Sequence, residues 1–297
     1  MSVYAALSEE ECYLWAILSD PSGIDQMEYK IQEKDGSVTQ GLFRAWPFQV
    51  AWWRDRNPLV ISQGSRSAGK SLSCCAAALA FPFCYPGEEM VITAPENVHL
   101  QALTDKIETM YVNNRVPKEM LVRGVHGIKH KPYLQNFSNG ARIMGRIPQR
   151  DGRGVKGVHP AVLLLDEASD YPELAWNELI ETVNQSSENA QWKAFGVTRG
   201  VRDKFYEYTT SDNWKVYRLP AMFRPTWSDE ERAAKVAQYG SEDNVDYRRN
   251  ILGVHSDAAS PLFSAMQLGR CFIGETQVSV IVEDERLEAG HHIALTP

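Results

Sequence analysis

The sequence predicts an α/β fold with a mostly parallel central sheet flanked by helices, followed by a small helical lid or linker. Three observations predict it. The string Gly64-Ser65-Arg66-Ser67-Ala68-Gly69-Lys70-Ser71 fits the pattern G-x-x-x-x-G-K-[ST]. A second segment, 96 residues after the lysine, is the apolar run Val162-Leu163-Leu164-Leu165 ending in Asp166-Glu167. Between them a strand-like stretch at 89–94, closed by Pro95, is followed by an amphipathic stretch at 97–110, which is a β-α-β alternation.

Taken in order, residues 1–45 read as an N-terminal appendage, with a short helix over 8–18 and a polar stretch turning at Asp35-Gly36. Trp46-Pro47-Phe48-Gln49 precedes the first core strand. There the Gln49 amide has the donor and acceptor to read an adenine edge, although a lone glutamine is usually a surface residue. The apolar residues 58–62 form a strand entering the glycine-containing string, and 71–80, rich in Ala, Leu and Cys, a buried helix leaving it. That order sets an anion at a helix N-terminus, where free amides and the dipole favour negative charge. Backbone N–H groups from Gly64 to Ser71 would cradle phosphates, Lys70 would reach the outer ones, and the Ser71 hydroxyl would hold Mg²⁺.

Residues 117–140 are irregular, 141–147 form a further strand, and the basic, glycine-rich 150–157 read as a mobile loop delivering into a strand at 161–166. A four-residue apolar run ending in two acids is the form of a buried parallel strand whose C-terminal end opens into a site. Asp166 would hold the metal and Glu167 would act as general base toward water, the plain alternative being a capped strand end. A helix follows over 174–185, then a strand over 192–197. Its tip, Thr198, either sits beside the terminal phosphate or merely begins a turn. A last strand at 214–219 and helices at 228–239 and 243–250 complete the reading. The resulting domains are 1–45 (appendage), 46–220 (core), 221–265 (lid or linker) and 266–297 (tail).

Bulk composition narrows the class. The chain has 297 residues, 43% of them hydrophobic, enough for a real core. No basic-then-apolar leader occupies the first eleven residues and no run of about 18 apolar residues occurs, which predicts an intracellular protein that does not span a membrane. Five cysteines without C-x-x-C spacing indicate neither a disulfide framework nor a zinc site. His126 and His130 lie four apart without carboxylate or thiolate companions and read as ordinary polar residues. The net charge is −7, yet ten Lys or Arg against two acids fall between Arg115 and Lys156. Such a local basic surface is compatible with gripping a phosphate backbone, and equally with a solvated face.

Several of these residues together resemble one family. Arg66 inside the loop, Met90-Val91-Ile92-Thr93-Ala94-Pro95, Arg153-Gly154 ahead of the acid-tipped strand, Thr198, and Tyr247-Arg248-Arg249-Asn250-Ile251-Leu252-Gly253 resemble the large terminase subunit of tailed bacteriophages over residues 42–265. The resemblance implies a P-loop NTPase fold of the ASCE type and an ATPase that drives double-stranded DNA into a capsid. It implies ATP and Mg²⁺ as cofactors, with Lys70, Ser71 and Asp166 at the phosphates and metal. Glu167 is then the catalytic carboxylate, Thr198 the coupling position, Gln49 the adenine contact and Arg66 a further catalytic residue. Arg153, or failing that Arg150, would be supplied to a neighbouring subunit's site. It further implies a homo-oligomeric ring, taken as a pentamer, a portal protein and a small terminase subunit as partners, no membrane, and the host cell cytoplasm as location. One departure is that the family's nuclease domain is not expected in this chain: 40 residues follow Asp257, and Glu283-Asp284-Glu285 reads as an acidic turn. Two other readings use the same features, a helicase-like nucleic-acid remodelling ATPase and a nucleotide-binding assembly module.

Overall fold

The computed structural model describes residue 20 and residues 28–32, 38–42, 45–113, 121–122, 127–183 and 187–256. The helix expected over 8–18, the turn at Asp35-Gly36, the tail at 266–297 and the basic positions 115, 118 and 123 lie outside the described residues. So do His126 and the acidic triplet 283–285.

Eight strands form one sheet. In chain order they are β3 (Leu59–Gly64), β4 (Glu89–Thr93), β5 (Ile128–His130), β6 (Tyr133–Asn136), β7 (Arg142–Arg146), β8 (Val162–Leu165), β9 (Gln191–Gly196) and β10 (Lys215–Leu219). Their order in space is β10-β3-β9-β8-β4-β7-β6-β5. Every pair from β10 to β7 is parallel, and only the β7–β6 and β6–β5 pairs are antiparallel. A separate antiparallel hairpin, β1 (Glu28–Gln32) with β2 (Val38–Leu42), precedes the core.

Parallel strands must be covered on both faces, and alternation along each strand shows how. Val60, Ile92, Leu164 and Phe195 belong to the apolar cluster that also holds Trp52, Leu79 and Leu103. Their immediate neighbours Ile61, Val91, Leu163, Leu165 and Ala194 point to the opposite cluster with Trp176, Leu179 and Phe205. The first cluster is covered by α1 (Pro47–Arg54), α2 (Lys70–Cys84) and α3 (Asn97–Asn113). The second is covered by α4 (Glu173–Ile180) and α5 (Lys204–Thr210). All four residues of β8 are buried, each contributing about 1.5–3 kcal/mol of transfer free energy.

The expected strands and helices of the loop region are present, α2 running four residues past its expected end. Pro82 lies inside it. Its missing N–H leaves the Ala78 carbonyl without the usual helical donor, and the Tyr111 hydroxyl donates to that oxygen at 2.9 Å. Cys74 and Cys75 are buried there and Cys84 is half-buried; burial pushes the Cys75 and Cys84 thiols up to about 12. The helix expected over 174–185 stops at Ile180, because Thr182 closes the last turn, donating from N to Leu179 O at 3.2 Å and from Oγ1 to Glu178 O at 2.7 Å. Segment 150–157, expected to be a mobile loop, contains a 3-10 turn at Arg153–Val155. The irregular 117–140 contains the β5–β6 hairpin, and two short helices, α1 and α5, were not expected. After β10 come α6 (Asp229–Tyr239), capped by the Ser228 hydroxyl, and α7 (Val245–Asn250), capped by Asn244. They join through Tyr247, Val236, Tyr239 and Ile251.

Because β10 through β7 are parallel, their C-terminal ends share one edge. The strand that carries the loop and the strand that carries the acids are separated by β9 alone. The two expected halves of the site are therefore presented side by side, with Thr198 between them.

Candidate active site

The loop leaves β3 with its amides turned inward. Ser65 N donates to Leu219 O at 2.9 Å and Arg66 N to Asn250 O at 3.1 Å. Ser67 adopts φ 60° and Gly69 φ 72°. At Gly69 a Cβ would sit 2.9 Å from the Trp46 ring, so both the backbone twist and the space require glycine. Lys70, the first residue of α2, is 8% exposed and curls back so that Nζ donates to Ser65 O at 2.6 Å. Burial pulls its pKa down, opposed by the charges of Glu167 and Asp166.

At the other jaw Asp166 is 3% exposed. Its Oδ2 accepts from Ser71 Oγ at 3.0 Å, which joins the loop helix to the acid-tipped strand across the width of β9. Its Oδ1 is buried without a hydrogen-bond partner among the described residues. Burial raises the Asp166 pKa against the pull of Ser71, and burial followed by the charge of Asp166 raises that of Glu167. Glu167 stands at φ 49°, ψ 43°, a left-handed backbone that a non-glycine residue adopts at a cost of about 1 kcal/mol. Two adjacent carboxylates raised together, one with an orphaned buried oxygen, are a donor set that a hard cation would satisfy. Ser71 and Asp166 therefore fit Mg²⁺.

A cavity of about 670 Å³ opens between these jaws. Arg66, Ser67, Ala68, Gly69, Lys70, Ser71, Glu167 and Thr198 line it. Asp166 and Ser65 sit just behind its wall, tied to Ser71 and Lys70. Thr198 is buried, its Oγ1 donating to Arg249 O at 3.3 Å. Gly64, the last residue of β3, does not line it, and two expected site residues outside the loop are not brought there either. Gln49 is buried beneath the loop. Its Nε2 donates to Ser73 Oγ at 3.0 Å and Gly69 O at 3.3 Å, while its Oε1 accepts from Trp46 N at 2.8 Å. The structure makes it a strut for the loop. Arg153 is exposed and paired with Asp151. It lies outside the wall of its own chain's cavity, as does Arg150.

Other lining residues escaped the sequence reading. His99 and Lys106 come from α3, seven residues apart and so on one helix face, a spacing that could have flagged them. Arg199 lines the cavity while pairing with Asp170. Arg249 and Asn250 arrive from α7, about fifty residues beyond Thr198, and no local pattern marks them.

Of the basic segment, Arg142 pairs with Glu89 and Lys156 with Glu178. Lys129 and Lys131 are exposed on the β5–β6 hairpin, and among the described residues neither has an ion pair. His130 pairs with Glu108 at 3.2 Å. Among the described residues no helix is long and apolar enough to cross a membrane.

No protein-family model matches the chain and no curated relative matches it. Solved structures do match. The large terminase ATPase domain of Thermus phage P74-26 is 16% identical with a TM-score of 0.57, over 72% of this chain and 95% of that one. The large terminase of bacteriophage HK97 is 16% identical with a TM-score of 0.59, over 82% of this chain and 56% of that one. The large terminase of a thermophilic bacteriophage, in complex with ADP, is 14% identical with a TM-score of 0.52, over 71% of this chain and 53% of that one. The chain spans about half the length of these last two proteins. At these identities the likeness shows the fold: an α/β P-loop NTPase with the strand order of the ASCE type, similar in architecture to terminase ATPase domains.

Proposed function

We propose that this chain hydrolyses ATP in the cavity between the loop and the acid-tipped strand, as the motor domain of a viral DNA-packaging terminase. The observation that carries the reading is the 3.0 Å hydrogen bond from Ser71 Oγ to Asp166 Oδ2, which brings both halves of the sequence signature to one point. Loop amides and the Lys70 ammonium bind the phosphates and offset their charge. Ser71 and Asp166 would hold Mg²⁺, which would supply charge neutralisation to the bound phosphates. The Glu167 carboxylate, its pKa raised by burial and by the charge of Asp166, accepts a proton from the attacking water, and Thr198 transmits the loss of the terminal phosphate to the segment behind it.

The resemblance to large terminases, whose ATPase domains are among the structural neighbours, implies the packaging role, double-stranded DNA and assembly into a ring. The portal protein and the small terminase subunit follow as partners, with the host cell cytoplasm as location. That Arg153 is exposed and outside the wall of its own chain's cavity supports its being offered to a neighbour's site. Lys129 and Lys131 offer phosphate contacts for DNA.

The test is the rate of ATP hydrolysis across protein concentrations, with and without linear double-stranded DNA. Turnover that rises with DNA and more than linearly with protein is expected. Nucleotide binding without hydrolysis under every condition would reduce the chain to an assembly module, and hydrolysis indifferent to DNA would sink the motor. Arg153→Ala chains mixed with Glu167→Ala chains should recover part of the lost turnover, and no recovery under assembling conditions removes the trans role.

A further inference from the structure

Arg249 and Asn250 enter the cavity wall because α7 is pinned to the core from both sides. Tyr247 and Ile251 bury against Ala221, and Ala221 N donates to Ile251 O at 2.8 Å. The backbone then crosses the phosphate loop. Asn250 O accepts from Arg66 N, and Gly253 O accepts from Gln63 Nε2 at 3.1 Å. Gly253, at φ +63°, approaches so closely that a Cβ there would lie 3.0 Å from Ser65 N. Arg249 is joined twice to the tip of β9. Its carbonyl accepts from Thr198 Oγ1 at 3.3 Å, and its Nε donates to Thr198 O at 3.4 Å.

Topology converts those contacts into a location. Thr198 follows β9, and β9 lies between the loop strand and the acid strand. A guanidinium resting on Thr198 thus shares the cavity wall with Lys70 and Glu167, where the last phosphate of a chain gripped by the loop would end. Arg249 also has donors to spare: besides Nε, Nη1 alone has an acceptor among the described residues, Asp246 Oδ1 at 3.5 Å, on a half-exposed side chain. Arg199, the other arginine near Thr198, is already engaged with Asp170.

We propose that Arg249 contacts the terminal phosphate of a bound nucleoside triphosphate from within the same chain, so that a triphosphate holds the α6–α7 segment on the loop and a diphosphate releases it. This rests on the nucleotide site described above and adds to it the residue that tells the two nucleotides apart. The test is calorimetric titration of MgATPγS and of MgADP into the wild type, Arg249→Ala, Arg249→Lys and Asp246→Asn.

Arg249→Ala should weaken ATPγS about tenfold, the size of one lost charge-assisted hydrogen bond, and leave ADP unchanged. Arg249→Lys, keeping the charge, should recover part of the preference. Asp246→Asn removes the competing carboxylate without entering the cavity and should raise the preference. Equal weakening of both nucleotides in Arg249→Ala, or retention of the wild-type ratio, overturns the proposal. Should the alanine variant not fold, Asp246→Asn decides alone, an unchanged or lowered ratio overturning it. A wild type that binds neither nucleotide overturns the site itself, which is a different result from a wild type that binds both and ignores Arg249.

Discussion

Two lysines are buried among the described residues, and their surroundings separate a structural ammonium from a functional one. Lys193, in the middle of β9, donates to Trp52 O at 2.8 Å, Asp55 O at 2.9 Å and Trp53 O at 3.3 Å, and lies 4.8 Å over the Trp52 ring. All three of its protons are spent on the C-terminal end of α1, where the helix dipole favours a cation. Lys70 makes one such bond among the described residues, to Ser65 O, and turns its remaining donors toward an open cavity and two carboxylates. Both groups have their pKa lowered by burial, Lys193 to about 7. Desolvation alone therefore does not distinguish them; unfilled hydrogen-bonding capacity does.

The sharpest break in that comparison should come from the acids that only Lys70 faces. Glu167→Gln is expected to lower kcat by about 10³-fold while preserving nucleotide binding, as loss of a general base does. The same change removes one of two crowded like charges, so the nucleotide-free protein should melt higher. Turnover near wild type would strip Glu167 of its role.

Lys70→Ala should next weaken ATP binding by about 10²-fold with little loss of stability, since one hydrogen bond disappears together with the cost of burying a charge. An equally large fall in melting temperature would place Lys70 in the structural class with Lys193.

Lys193→Met should do the reverse. It relieves a buried ammonium but strands carbonyls that have no water to turn to, and the second effect wins by about 2 kcal/mol. Chemical denaturation of the variant measures this, and ATP affinity per folded molecule should stay as it was. A variant as stable as the wild type would show that those carbonyls find other donors.

The smallest effect is in pH. Folded Lys193 titrates near 7, below its ordinary 10.5, so between those values the unfolded chain holds the additional proton. Wild-type stability should accordingly gain from Lys193 as pH rises through that window, and Lys193→Met should lose that part of the slope. Identical slopes would mean that Lys193 remains charged throughout.

The contrast also shows what local sequence conveys. Strand-loop-helix order, apolar runs and the two acids were legible because each is written within about ten residues, and the parallel sheet follows from their alternation. The helix α1 was not, since its start signal, Pro47 after Trp46 with Gln49 reaching back to the Trp46 amide, sits in an eight-residue segment that two tryptophans dominate. Gln49 drew attention for its amide, but that amide serves Gly69 and Ser73, a use that becomes visible only when α1 and α2 are seen to touch. Arg249 was quoted for likeness and given no task, because its position depends on a contact spanning 51 residues to Thr198. Charge counting overstated the basic surface, two of whose cations are neutralised by Glu89 and Glu178 from outside the segment counted.

The placement of β9 between the loop strand and the acid strand makes the sheet a ruler. Its two inter-strand steps fix the span between the jaws at about 9.6 Å, a pitch set by main-chain geometry that no side chain can alter. Only the reach of Ser71 and Asp166 is left to tune the closing distance. Lengthening that carboxylate by a single carbon, as in Asp166→Glu, cannot be absorbed by moving a strand, and the mismatch would fall wholly on whatever occupies the gap.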